Sequence, residues 1–506
     1  PRSGCADRDV TIDISDFDPG GGLRGSWSVD LGAQLVGGDV DATRCAYEPL
    51  DKPARSIRLS EVTVNQGVAI PLAQNGTVVS AASRKAPIVA GRDAVFQIGV
   101  TPEADWQPRE IVVEVQLDGV AVAESRATVS TASDSSDPEA MIQVPVSGEE
   151  LEEGATFSVG LFEIASCVDQ AGGVTAPRVP ASGTTELGAE SLAGPFRIVL
   201  VPIRWNTDGS GRLPDLSPGV VQEFADGVAS LYPVTGVDVT VRNQPLDYGG
   251  ALDAGGNGWS QLLNECLSLR SSDNGPDEVY YYCLFQPTPT ARDFCSGGCV
   301  AGIGPVPSAS DTYRRAAIGI GFNGSGVDTF LHEIGHALGR PHAPCGGASG
   351  ADPGYPYADA AIGVWGYDLT SDSHISPDYR DLMSYCGPNW ISDYNYDLLF
   401  DRIASVYGRQ FALKSITAPA LPSVSYRTVV VDADMTLSWG RDTILERLPD
   451  GEPVTAELLN TSGQVVARVP GVYQSVTHIP GGMLLWEDVE TAASSVHVEG
   501  FGTLAF

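Results

Sequence analysis

The chain has 506 residues, and its 64 acidic residues against 30 Lys and Arg give a formal net charge of −34. Such a surface repels nucleic acid and anionic lipid, because both are bound through basic side chains that neutralise phosphates. Hydrophobic residues make up 42% of the chain, which is enough for more than one buried core and excludes a disordered protein. No apolar run reaches the ~18–20 residues that span a bilayer, so we expect no transmembrane helix.

Strand patterns dominate the first part of the chain. Residues 1–55 predict an N-terminal β segment or arm. Residues 56–175 alternate apolar and polar side chains between turn clusters, which is typical of an immunoglobulin-like β-sandwich. Residues 176–195, rich in Gly, Ala, Thr and Pro, predict a linker.

The pattern then changes to strands that alternate with helices, which predicts an α/β domain over 196–412. Its first strand is "FRIVLVPIRW", and Ser217 is placed to cap the helix that follows. Strand patterns return over 413–506 and predict a second β-sandwich. The predicted fold is therefore multidomain, with an α/β domain between all-β modules.

The segment "HEIGHALGRPH" carries the chemistry. His332 and His336 are four residues apart, so on a helix both imidazoles project from one face. Gly339 comes where the helix must end in a sharp turn, because glycine adopts positive φ at little cost. That turn brings His342 back toward the same point as a third ligand.

Three neutral imidazoles suit a zinc ion that keeps one open coordination position, where the pKa of a bound water falls to about 7. Glu333, beside the first histidine, is then the candidate general base. With 6 His and 58 Gly in the chain, independent placement predicts on the order of 10⁻⁵ occurrences of the full pattern. The alternative, ordinary polar histidines on a helix, requires that coincidence.

The motif resembles the signature of the metzincin clan of zinc endopeptidases. The clan also has a methionine turn beneath the zinc, and Met383 in "RDLMSYC" fits that position. Tyr385 completes a Met-x-Tyr pattern like that of astacins, serralysins and pappalysins, which implies a hydrogen bond to the tetrahedral oxyanion. By the same resemblance, Trp390 and Ile391 wall the primed-side substrate pocket.

The resemblance covers roughly residues 196–410 and implies an order of elements. An edge strand over 299–306 precedes an inner strand over 316–322, and the zinc helix starts at Asp328. Substrate would add as an antiparallel strand along 299–306. The flanking β modules are similar to those of secreted bacterial metzincins, which implies a protein or glycoprotein substrate.

Nine scattered cysteines favour disulfides in an exported, extracellular or cell-surface protein. Cys345 and Cys386 follow the third histidine and the methionine, so we expect them to be bonded at the floor of the site; a thiolate metal ligand is the alternative. Other candidate pairs are Cys266–Cys283, Cys295–Cys299 and Cys45–Cys167. The ninth cysteine, Cys5, has no predicted partner. Its alternatives are a lipid anchor, another disulfide, a free thiol or a ligand that caps the zinc.

Other polar residues give weaker signals. Acidic loops offer Asp352 and Asp372 as calcium ligands, although solvated loops are the commoner case. His374, His478 and His497 lack partners at ligand spacing and are interpreted as structural.

These patterns predict a secreted, monomeric zinc endopeptidase with Glu333 as general base. Two alternatives remain. One is a catalytically weak protease-like protein that binds glycans or proteins through its β modules. The other is a latent form in which the N-terminal segment blocks the cleft.

Overall fold

The structure is a computed structural model that describes residues 52–164, 173–322, 326–408 and 423–506 in full. Of the N-terminal residues it describes only the backbone of three strands, Val10–Asp18, Gly22–Asp30 and Leu35–Thr43, which form one antiparallel sheet. Cys5 and the predicted pair Cys45–Cys167 lie outside the described residues.

The first module is a sandwich of two five-stranded sheets. In Ile57–Asn65 the buried positions largely alternate with more exposed ones, as expected when one face of a strand packs on the other sheet. One sheet contains Ile57–Asn65, Ala69–Gln74, Thr77–Val78, Ala94–Pro102 and Ile142–Val146. The other contains Arg109–Leu117, Val120–Val129, Thr156–Glu163, Arg178–Val179 and Thr185–Glu186.

The residues predicted as a linker contribute to this module. Arg178–Val179 and Thr185–Glu186 pair with Thr156–Glu163, and Ala189–Glu190 pairs with Ile88–Val89. Strand pairing therefore fixes this segment along the edge of the sandwich, despite its low hydrophobicity.

A mixed sheet occupies the middle of the molecule. In spatial order its strands are Val237–Val241, Phe196–Trp205, Tyr280–Phe285, Ala316–Ile320 and Gly302–Ile303, and Leu246–Tyr248 also pairs with Phe196–Trp205. All pairs are parallel except the edge strand Gly302–Ile303, which runs antiparallel to its neighbour. Every residue of Tyr280–Phe285 is buried, as in a strand covered on both faces.

Among its described residues, this middle part has five α-helices: α1 Pro218–Leu231, α2 Trp259–Ser272, α3 Ala291–Cys295, α4 Val327–Ala337 and α5 Asp393–Tyr407. Short strand pairs join Gly366–Asp368 to Ser373–Ile375 and Arg380–Asp381 to Asn389–Trp390. Ser217 stands at the N-cap of α1 as predicted, but its side chain makes no capping hydrogen bond.

The C-terminal strands form one eight-stranded sheet. They are Val424–Val431, Leu437–Trp439, Thr443–Leu445, Glu452–Leu459, Val465–Ser475, Gly482–Glu487, Ser495–Val498 and Gly502–Ala505. The sheet curls until its ends meet: the Trp439 ring stacks on Phe506, and its Nε1 donates to the carbonyl of Ala505 at 2.7 Å.

Two hydrophobic cores hold the parts together. One is shared by the sandwich and helices α1, α4 and α5. The other is shared by α2, the opposite face of the middle sheet and C-terminal residues such as Ile479, Met483 and Leu485. The protein is thus multidomain and mostly β, and among its described residues no helix is long and apolar enough to cross a bilayer.

Candidate metal centre

Helix α4 presents the first two motif histidines, His332 and His336. Its residues Phe330, Leu331 and Ile334 are buried in the core, which fixes the rotation of the helix about its axis. Gly339 ends it with φ 82°, and the following Arg340 N–H donates to the carbonyl of Gly335 at 3.0 Å.

The turn places three histidine rings around one point. Nε2 of His336 lies 3.0 Å from Nε2 of His332 and 3.1 Å from Nε2 of His342. The opposite Nδ1 atoms face backbone carbonyls at 2.7, 2.6 and 2.7 Å, those of Leu382, Arg340 and Ser349 respectively. Each ring therefore uses its proton in an Nδ1–H donor and turns an Nε2 lone pair toward its neighbours.

Lone pairs at this separation repel one another unless a cation lies between them, so the three side chains fit a metal ion. Burial lowers the pKa of His332, lowers that of His336 well below its ordinary value, and lowers that of His342 to about 4. All three rings are neutral at pH 7, which is the protonation state that metal binding requires.

A fourth histidine, His478, joins this group, although it has no partner at ligand spacing in the sequence. Its Nε2 lies 2.9 Å from Oε1 of Glu333, and its Nδ1 lies 2.6 Å from the hydroxyl of Tyr385. Within the described residues, the ligand atoms of the four histidines all lie within 4.8 Å of one another. The spacing of residues in the sequence does not predict this position, because His478 reaches the site from the C-terminal sheet. The one hint in the sequence is that histidine is scarce, with 6 in the chain.

Glu333 is buried, with 2% of its surface exposed, and faces the cleft beside the histidines. Gly302 of the edge strand allows this packing, because a Cβ there would lie 2.6 Å from Cγ of Glu333. The Oε2 atom has no hydrogen-bond partner among the described residues. The carboxylate is therefore held beside the histidines with one buried oxygen that no protein group satisfies.

Met383 is fully buried against helix α4, where a Cβ at Gly335 would lie 2.5 Å from its sulfur. Its carbonyl accepts from Ala343 at 2.9 Å, and its N–H donates to the Asp381 carboxylate at 2.8 Å. Asp381 also accepts from the Ser392 N–H at 3.0 Å and from Asn395 at 2.7 Å. This buried network joins the segment around Met383 to the start of α5.

Tyr385 extends over the cleft and is 44% exposed. Burial of its hydroxyl, and secondly the charge of Glu333, raises the pKa of Tyr385 to about 12. The phenol is therefore a hydrogen-bond donor at neutral pH.

The cleft has a volume of about 550 Å³ and is bounded by the segment 299–302, helix α4, the segment around Tyr385 and His478. Trp390 and Ile391 do not line it, which corrects the prediction from the resemblance. Trp390 is buried and donates from Nε1 to the carbonyl of Gly67 in the sandwich at 2.7 Å, and Ile391 is fully buried. Both stabilise the core instead.

In the part of the chain that the structure describes, disulfides join the pairs Cys345–Cys386, Cys295–Cys299 and Cys266–Cys283, as the sequence predicts. The first ties the turn after His342 to the turn after Met383. The two calcium candidates have protein partners: Asp352 bonds to Arg340 and Tyr394 at 3.0 Å, and Asp372 accepts from Tyr367. Neither is part of a possible metal-binding group among the described residues.

Comparison with known proteins agrees with this site. The sequence model of the family Peptidase M66 matches residues 308–393, the stretch that contains the three motif histidines, Glu333, Met383 and Tyr385. The chain is also 29% identical over 196 residues to the protein Dictomallein of Burkholderia mallei (strain SAVP1) and of Burkholderia pseudomallei (strain K96243). The aligned residues make up 38% of this chain. They span about a quarter (24%) of the length of those relatives. Together these matches support a metallopeptidase.

Proposed function

We propose that the chain is a zinc-dependent endopeptidase of metzincin type, whose catalytic domain is the middle sheet with its helices. The observation that carries the proposal is the convergence of three Nε2 lone pairs beside a buried carboxylate in an open cleft. The disulfides among the described residues support an extracellular protein, and therefore extracellular proteins or glycoproteins as substrates.

His332, His336 and His342 would hold the zinc ion, which supplies Lewis acidity and lowers the pKa of a water molecule. Glu333 accepts a proton from the attacking water and delivers it to the leaving nitrogen. Tyr385, protonated at neutral pH, donates a hydrogen bond to the oxygen on which charge develops. The main chain of Gly302–Ile303 pairs with an extended substrate.

Glu333→Gln tests the mechanism because it preserves size but removes the proton acceptor. We expect peptide turnover to fall at least 10²-fold, about 2.7 kcal/mol of barrier. Zinc content and the thermal unfolding temperature should stay unchanged, since the carboxylate is not one of the three proposed zinc ligands. Turnover of a quenched-fluorescence peptide library and metal analysis are the measurements.

Glu223→Gln is the matched control, because this exposed carboxylate lies on α1 of the same unit and far from the histidine motif in sequence. It should retain full turnover. Wild-type turnover in Glu333→Gln would contradict the proposed role of Glu333.

A further inference from the structure

The four histidine rings stand at the corners of a nearly regular tetrahedron. All six distances between ring centroids fall between 4.5 and 5.4 Å. A tetrahedral zinc site with four protein ligands is closed, whereas a catalytic site keeps one position for water or substrate. The position of His478 is therefore the one that a catalytic site leaves open.

His478 also shares the second-partner pattern of the motif histidines. The motif rings donate from Nδ1–H to backbone carbonyls, and the Tyr385 hydroxyl, 2.6 Å from Nδ1 of His478, can accept from that ring in the same way. The other nitrogen, Nε2, is buried and has no hydrogen-bond partner, although it contacts Glu333 at 2.9 Å. Such outer partners orient an imidazole toward a metal ion.

The loop 476–481, between strands Val465–Ser475 and Gly482–Glu487, holds this ring in place. Thr477 pairs with both backbone groups of Gly304: its N–H and its hydroxyl each donate to the Gly304 carbonyl at 3.0 Å, and its Oγ1 accepts from the Gly304 N–H at 3.0 Å. Ile479 is buried in the core shared with the middle sheet. His478 itself has φ 67°, a conformation costly for a residue other than glycine.

We propose that His478 is the fourth protein ligand of the metal in the resting protein, so that the C-terminal sheet closes the catalytic site. The inference rests on the proposed function. Gly304 adjoins the edge strand along which substrate would pair, and Thr477 already occupies its hydrogen-bonding groups. Thr477 thus occupies the edge along which substrate would pair, and the next residue, His478, occupies the open position at the metal. A substrate must displace both residues together.

The test uses the full chain loaded with Co²⁺ or Zn²⁺ and compares wild type with His478→Ala and His478→Gln. X-ray absorption counts histidine ligands by the outer-shell scattering of the imidazole ring. It should find four histidine nitrogens in the wild type, and three, with an oxygen in the fourth position, in His478→Ala. If the closed state holds nine-tenths of the molecules, its loss raises kcat/KM about tenfold. His497→Ala is the control. His497 lies on a C-terminal strand, where its ring bonds to Thr503, and this variant should match the wild type in both readouts.

Three nitrogens and one oxygen in both wild type and His478→Ala would overturn the inference. A fall in turnover without a change in ligands would show instead that His478 only positions Glu333 and Tyr385, and would also overturn it. A change from four to three nitrogens without any peptide turnover would support the closed site and refute the proposed peptidase. Absence of stoichiometric metal from both proteins would refute both proposals.

Discussion

At the scale of single residues, Gly339 decides whether the third histidine reaches the candidate metal centre. Its φ of 82° is rarely adopted by other residues, and a Cβ there would collide with the guanidinium of Arg402 and lie 3.0 Å from the carbonyl of Pro307. Arg402 cannot move freely, because it donates to that same carbonyl at 2.9 Å. The turn therefore has little room for any side chain.

Gly339→Ala should lower the free energy of unfolding by about 1–3 kcal/mol, through backbone strain and displacement of Arg402. Zinc affinity should fall as well, since His342 follows the strained turn. Thermal unfolding and competition with a zinc chelator measure the two effects.

Gly219→Ala is the control, because Gly219 is an exposed residue near the start of α1 with no positive φ, and a Cβ added there would have no heavy atom within 4 Å. It should be neutral or slightly stabilising. Equal stability and zinc affinity in both variants would show that the turn tolerates a side chain.

At the scale of elements, the sequence predicts those whose pattern is local. The segment "WSQLLNECLSLRSS" is helix α2 from its first residue to its last, and the zinc helix starts one residue before the predicted Asp328. The edge strand is shorter than the predicted 299–306, because only Gly302–Ile303 pairs with the sheet. Cys299 is tied to Cys295 at one end, and Gly304 pairs with Thr477 at the other.

The parts that sequence reasoning missed depend on contacts between distant segments. His478 and Trp390 are placed by packing between modules: the first reaches the cleft from the C-terminal sheet, and the second is buried against the sandwich. No spacing within the chain encodes either contact. The three motif histidines were predictable because one helix and one turn bring them together.

A partly buried carboxylate of helix α5 destabilises the folded protein by an amount that depends on pH. Burial, and secondly the charges of Asp401 and Asp393 one turn away on either side, raises the pKa of Asp397 from 3.8 to about 6. The folded state thus binds a proton more tightly than the unfolded state, so the cost is present above pH 6 and disappears as pH falls toward 4.

Asp397→Asn should therefore raise the melting temperature at pH 8 and leave it unchanged near pH 4. The gain should stay below about 1 kcal/mol, because the group is partly exposed and water screens its charge. Asp226→Asn on α1, an exposed carboxylate, is the control and should show no such gain. An equal gain for Asp397→Asn at both pH values would show that charge is not the cause.

At the scale of the whole molecule, the central strands of the proposed catalytic sheet are covered on both faces. The sandwich and three helices cover one face, and α2 with the C-terminal sheet covers the other. The Asp432 carboxylate adds a polar contact by accepting from the N–H of Gly258, at the start of α2, at 2.8 Å. The C-terminal sheet is thus part of the wall that supports the metal centre.

Two adjacent leucines of strand Gly482–Glu487 test this coupling, since both are fully buried but on opposite faces. Leu485 packs in the core shared with α2, whereas Leu484 packs in the core of the C-terminal sheet alone. Each change to alanine should cost about 2–5 kcal/mol. Hydrogen exchange should show that Leu485→Ala weakens protection in α2 and the C-terminal strands together, because the cavity lies between them, while Leu484→Ala weakens the C-terminal strands alone. Loss confined to the C-terminal strands in Leu485→Ala would mean that the two layers open independently, and that the C-terminal sheet does not support the metal centre.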